Sequence, residues 1–212
     1  LIEGHNGVLW VGTFGGGLHR FEKTSKKFSR YINKPDDENS LSNNRVLCIY
    51  EDSKKQLWVG TSGGALNKFN EQTKSFKRYA DKQGLIGGVV YGILEDKNNN
   101  LWMSTNNGIF KFDTSTELFV QYDLQDGVQS LEFSGGAYFK TTDGEMFFGG
   151  ISGLNHFYPD SITENQNIPP VVITSIKVFN NPLEGEHNEI ELSYNDNFLT
   201  FEFSALDYSN PS

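Results

Sequence analysis

A seven-residue phrase written four times along the chain limits its possible folds more than any other feature. Gly7-Val8-Leu9-Trp10-Val11-Gly12-Thr13 returns as Lys55-Gln56-Leu57-Trp58-Val59-Gly60-Thr61 and as Asn99-Asn100-Leu101-Trp102-Met103-Ser104-Thr105. A looser copy follows at Gly144-Glu145-Met146-Phe147-Phe148-Gly149-Gly150. The aromatic recurs in steps of 48, 44 and 45 residues, the period of stacked supersecondary units. All three tryptophans of the chain hold this one place in the repeat. A second register runs beside the first: Phe21, Phe28 and Tyr31 are matched by Phe69, Phe76 and Tyr79, and again by Phe112, Phe119 and Tyr122, with the offsets of seven and three kept in each copy.

Each copy reads as four short strands separated by turn residues. Arg45 to Glu51 and Val89 to Glu95 are apolar, β-branched runs ending in an acidic pair, Glu51-Asp52 or Glu95-Asp96, of the kind that starts a turn. The Leu-Trp-Val-Gly-Thr strand comes next. It is followed by a glycine-bearing reversal (Gly15-Gly16-Gly17, Gly63-Gly64, Asn107-Gly108, Gly153), a third strand such as Leu66 to Phe69, a polar hairpin and an outer strand such as Phe76 to Tyr79. No segment keeps an i, i+3, i+4 apolar stripe over ten residues, which excludes a helical solenoid. Leu57, Trp58 and Val59 are apolar on both faces of their strand, so the sheet needs a neighbour on each side. A radial stack of blades supplies one.

The expected fold is therefore all-β: a partial β-propeller of about four four-stranded blades, the first and last incomplete, over residues 1–158. A polar, turn-rich linker follows at 159–169, and a second β domain opens at 170–212. Glu3 aligns with Glu51 and Glu95, so most of the first blade's inner strand is expected upstream of Leu1. In the fourth copy Glu164 and Asn167 stand where the outer-strand aromatics belong, and an upstream strand is expected to complete that blade. After Pro169-Pro170 the pattern changes to Val171 to Phe179 and then Phe198 to Phe203, whose alternation places Phe201 and Phe203 on one face of what reads as the start of a β-sandwich.

Eighteen Lys and Arg against 27 Asp and Glu give a net charge of −9, which argues against a nucleic-acid partner or contact with an anionic membrane. No apolar run reaches the ~18 residues of a membrane span. The single cysteine, Cys48, lies in an apolar strand and reads as a small buried residue. His5, His19, His156 and His187 occupy unrelated positions in the repeat, so no metal site is expected. The glycines of 12–17 lack the Gly-Lys-Ser/Thr of a phosphate loop, and no cofactor is expected. The acidic turns suggest the Asp-box of sialidase propellers but fail in spacing, since Asp52 lies six residues before Trp58 with Lys55 where a glycine belongs. A residue that recurs as Glu51 and Glu95 do is scaffold before it is catalyst, and no catalytic residue is expected.

Val89-Val90-Tyr91-Gly92-Ile93-Leu94-Glu95-Asp96, with Asn100 to Phe112 after it, resembles the two-component regulator propeller repeat, and the copy at 45–69 matches it as well. Glu191 to Tyr208 is similar to the start of the immunoglobulin-like "triple tyrosine" domain that follows such propellers. The resemblance implies a periplasmic sensory segment of a hybrid two-component system, in which the propeller binds a glycan-derived ligand and the sandwich relays it, through a membrane helix, to a histidine kinase. It also implies a homodimer in the full-length receptor. A secreted propeller hydrolase or lyase acting on polysaccharide is the competing class, and a protein-interaction propeller the third. For the ligand, residues unique to one copy near loop tips are the candidates. The loops before the inner strands line one mouth of the channel and offer Asn43, Asn44 and Arg45, then Tyr91, then Gln129, Ser130 and Glu132. Together these supply the planar amides, charge and aromatic platform a sugar requires.

Overall fold

Each copy of the repeat forms one antiparallel meander in which every strand pairs with its neighbours in sequence. In a computed structural model that describes residues 1–63, 66–80, 85, 88–162, 171–179, 181–182, 193–195 and 197–205, the first blade is β1 (Ile2–Glu3), β2 (Val8–Thr13), β3 (Gly17–Glu22) and β4 (Lys27–Tyr31). The second is β5 (Val46–Glu51), β6 (Leu57–Thr61), β7 (Leu66–Asn70) and β8 (Ser75–Tyr79), and the third β9 (Val90–Glu95), β10 (Leu101–Thr105), β11 (Gly108–Asp113) and β12 (Leu118–Tyr122). The fourth has three strands among the described residues: β13 (Phe133–Lys140), β14 (Met146–Gly150) and β15 (Gly153–Phe157). There is no α-helix among the described residues. The expected all-β blade architecture is the one observed.

The inner strands begin one residue later than their apolar runs do, and the reason is an exchange between blades. Arg45 bridges Phe14 of the preceding blade, and Val89 bridges Ser62, so each is taken up by a neighbour's hairpin before its own strand starts. Gly15 and Gly17 donate to the Asn44 carbonyl (3.0 and 2.9 Å), Gly63 to that of Gly88 (2.9 Å) and Gly108 to that of Leu131 (2.7 Å). One bond pattern thus stitches all three joints on the face where the chain enters each inner strand, called here the inlet face.

On the opposite, outlet face the two acids of each turn part company. Asp52 accepts from the Gln56 N–H at 2.8 Å and from the Trp58 indole N–H at 2.8 Å. Asp96 does the same for Asn100 (2.9 Å) and Trp102 (3.0 Å). The fourth turn position is left-handed in every copy, at Gly7, Lys55, Asn99 and Gly144 (φ 73°, 64°, 65° and 97°). Glycine suits that position, and Lys55 holds it in a turn that Asp52 braces. The glutamates instead cross the joint. Glu95 accepts from Ser53 N–H and hydroxyl, both at 2.8 Å, and Glu51 accepts from His5 N–H at 3.0 Å.

Between the blades lie three apolar layers, and in each the indole of one blade meets a phenylalanine of the next: Trp10 with Phe69 at 5.0 Å, Trp58 with Phe112 at 5.7 Å, Trp102 with Phe157 at 5.0 Å between ring centroids. The two aromatic registers of the sequence therefore come together at the joints. Every residue of β6 and β10 is buried, as strands apolar on both faces require. Burying one indole is worth about 5 kcal/mol before the entropy of ordering it.

By compactness the chain divides into Leu1–Ile162 and Thr163–Ser212. Pro159–Ser161, read from sequence as linker, is a turn of 3-10 helix belonging to the first unit, and 163–169 lies outside the described residues. The second unit contains β16 (Val171–Val178), β17 (Asn181–Pro182) and β18 (Leu199–Ala205), ordered β17-β16-β18. Phe201 lies opposite Ile176 and Phe203 opposite Ile173, with a bulge between Ile173 and Ser175. Of the stretch Glu191 to Tyr208, residues 191–192, 196 and 206–208 lie outside the described residues.

Candidate inlet-face ligand site

The residues chosen from sequence do lie on the inlet face, but most of their polar atoms already have partners. Asn43 Oδ1 accepts from Arg45 N–H at 2.8 Å, closing a local turn. Asn44 Oδ1 takes the Asn33 N–H at 2.7 Å, while its carbonyl holds the two glycines of the blade before. Gln129 Oε1 accepts from Ser152 N–H at 2.8 Å, and Ser130 Oγ from Glu132 N–H at 3.2 Å. These four brace loops. Polar side chains next to a strand entrance find the free backbone groups there first.

Tyr91 and Glu132 form a pair across the third joint, the phenol donating to Glu132 Oε1 at 2.5 Å. Burial first, and then the neighbouring carboxylate, pushes the Tyr91 hydroxyl up to about 12. Arg45 is different. It is exposed, and its guanidinium lies 5.1 Å from the centre of the Phe14 ring, which is itself 74% exposed. Phe14 is absent from the sequence-based choice although the signal was available: its counterparts in the other copies are Ser62, Asn106 and Ile151, so an aromatic at that hairpin tip occurs once. A flat ring beside a cation, both open to solvent where two blades meet, can stack on a sugar face or on another planar group.

Elsewhere the reactive groups are committed. Glu51 and Glu95 hold backbone N–H groups of adjacent turns, an arrangement that ties blades together. Cys48 is buried, and its thiol is pushed up to about 12 by that burial. Among the described residues no group of three or more His, Cys, Asp or Glu could hold a metal ion, and no helix is long and apolar enough to cross a membrane.

Residues 40–63 and 84–107 match the two component regulator propeller family. The extracellular domain of the putative hybrid two component system BT3049 from B. thetaiotaomicron is 31% identical, with a TM-score of 0.71 over 96% of this chain and 28% of its own. That of the putative one component system BT4673 from the same organism, 20% identical, shares the fold at a TM-score of 0.57 over 99% of this chain and 28% of its own. Histidine kinase P4 of Formosa agariphila is 26% identical over 98% of this chain, which spans only 20% of that protein. Residues 40–63 and 84–107 therefore carry the two component regulator propeller repeat, and the chain as a whole is similar to part of the extracellular domain of a putative hybrid two component system.

Proposed function

We propose that this chain is part of the periplasmic sensory region of a hybrid two-component system, that its inlet face binds an oligosaccharide, and that the second unit relays the bound state. In this reading the second unit is the start of a triple-tyrosine immunoglobulin-like domain, the full-length receptor is a homodimer, and the output is a membrane-linked histidine kinase. The observation that carries the ligand half is the exposed Phe14–Arg45 pair, a repeat-breaking aromatic on the first blade's hairpin beside a cation at the entrance to the second. Similarity over 96% of the chain to the extracellular domain of a putative hybrid two component system supports the sensory half. A ligand acts on such a receptor only through a difference in affinity between two arrangements of it.

Calorimetric titration of the full chain with a panel of neutral and acidic oligosaccharides tests the reading. A sensor binds without releasing product, and Phe14→Ala weakens binding by about tenfold, the value of one stacking contact. Turnover of any panel member places the chain with the polysaccharide-cleaving enzymes instead, and binding to none of them overturns the saccharide reading.

A further inference from the structure

Three indoles occupy one place in the repeat, and one of them lacks the partner the other two have. Trp58 and Trp102 donate to Asp52 and Asp96. The fourth copy has no indole, Phe147 standing there, and correspondingly no aspartate: Thr141 holds its turn through bonds to Glu145. The acid thus accompanies the indole wherever the repeat is regular. In the first copy the indole is present and the acid is not, because Gly4 stands in the aspartate's position.

The backbone around Gly4 is otherwise that of the other turns. Its N–H donates to Val8 at 2.8 Å as that of Asp52 does to Gln56 at 3.0 Å, and its carbonyl accepts from Gly7 at 2.9 Å as that of Asp52 does from Lys55 at 2.9 Å. Asn6 Oδ1 has taken over the backbone half of the missing carboxylate's work, accepting from Val8 N–H at 3.2 Å. Among the described residues no hydrogen bond takes over the other half. Trp10 is only 3% exposed, yet its indole N–H reaches solvent and makes no hydrogen bond among the described residues. That ring lines one end of an open cavity of about 630 Å³, where His5, Asn6 and Glu51 also stand; the cavity runs on along the second blade past Lys68 to Glu117. The volume is that of a small-molecule site, and an indole N–H open to it is a donor a ligand can use.

We propose that this outlet-face cavity at the joint of the first two blades is a second ligand site, distinct from the inlet face, and that it takes a small polyhydroxylated molecule with one hydroxyl on Trp10 Nε1. A hydroxyl fits better than the carboxylate found in the regular copies. It can accept from the indole and donate onward, whereas a carboxylate would stand beside Glu51, whose Oε2 lies 2.9 Å from where a Gly4 side chain would begin. Seated there, the ligand completes the first turn and touches both blades, since Trp10 belongs to one and Glu51 to the other.

The test labels the three tryptophans with 5-fluorotryptophan and follows their 19F resonances in the full chain as neutral disaccharides, and the matching uronic-acid disaccharides, are added. The neutral sugars should shift the Trp10 signal and leave Trp58 and Trp102 in place. Gly4→Asn, which supplies an acceptor oxygen on a backbone already shaped for the repeat's aspartate and adds no charge beside Glu51, should abolish that shift. Trp10→Phe, which keeps a ring against Phe69 and removes only the donor, should weaken calorimetric binding at this site by about tenfold. A Trp10 resonance that no sugar moves, or one that Gly4→Asn leaves responsive, overturns the proposal. A Trp10 shift confined to the uronic-acid sugars overturns its choice of hydroxyl over carboxylate. Phe14→Ala separates the two sites: it weakens inlet-face binding alone, so either site can fail while the other stands.

Discussion

Removing Asp96 tests whether the turn carboxylates are what fixes the tryptophans in the joints. Asp96 is buried and accepts four hydrogen bonds: from the Asn98 and Asn100 N–H groups at 2.8 and 2.9 Å, from Asn100 Nδ2 at 2.9 Å, and from the Trp102 indole at 3.0 Å. Asp96→Ala leaves the indole donor buried and unpaired and frees the turn. Bonds to a charged acceptor contribute ~1.5–3 kcal/mol, an orphaned buried donor costs ~1–3, and the two overlap, so the loss should be about 3 kcal/mol. For a unit of this size that lowers the thermal midpoint by about 9 °C. Asp96→Asn keeps an acceptor oxygen and should lose about half as much. A double-mutant cycle with Trp102→Phe isolates the indole's share: in urea unfolding followed by circular dichroism, the coupling energy should be about 1.5 kcal/mol. A coupling near zero, or an Asp96→Ala loss under about 0.5 kcal/mol, would falsify the assignment and reduce the acid to a turn former.

The glutamates that cross the joints give a graded pair. Glu95→Ala removes the buried acceptor of two Ser53 donors and should cost about 2–3 kcal/mol, while Glu51→Ala, opposite the exposed His5, should cost about 1; denaturant titration with the order reversed would contradict the latch. Tyr50 and Tyr91 are both pushed up to about 12, by burial first and then by Glu95 and Glu132 respectively. The fold therefore favours their neutral phenols, so this part of the stability is complete below the ordinary value of about 10 and is lost as pH rises through about 12. Phenolate absorbance should show a late class of tyrosines ionising together with loss of the β-sheet signal, and ionisation of all nine near pH 10 with the fold intact would refute this. Burial raises the Cys48 thiol to about 12 as well, so a disulfide reagent at pH 8 should leave the native protein untouched and label one thiol in urea; rapid native labelling would show the second joint to be open.

Periodicity shows which residues recur but not what they touch, and that difference separates the legible part of this molecule from the rest. The blades could be read because Trp, Phe and Tyr return in step and strands apolar on both faces have few ways to be covered. The joints could not. Glu51 and Asp52 look like one acidic pair starting a turn, yet the aspartate serves its own blade's indole and the glutamate the turn of the blade before. The same limit governs the candidate site. Choosing residues that break the repeat at loop tips led to Arg45, which is open, but also to Asn43 and Gln129, which the loops had already engaged. A break in a repeat can be interpreted only once the repeated residue's task is known. Gly4 is an unremarkable glycine in a turn until the aspartate it replaces is seen holding an indole, and only then does its missing side chain become a vacancy with a defined chemistry. For chains built of blades, the residues that depart from the pattern locate function, and the residues that keep it say what each departure leaves undone.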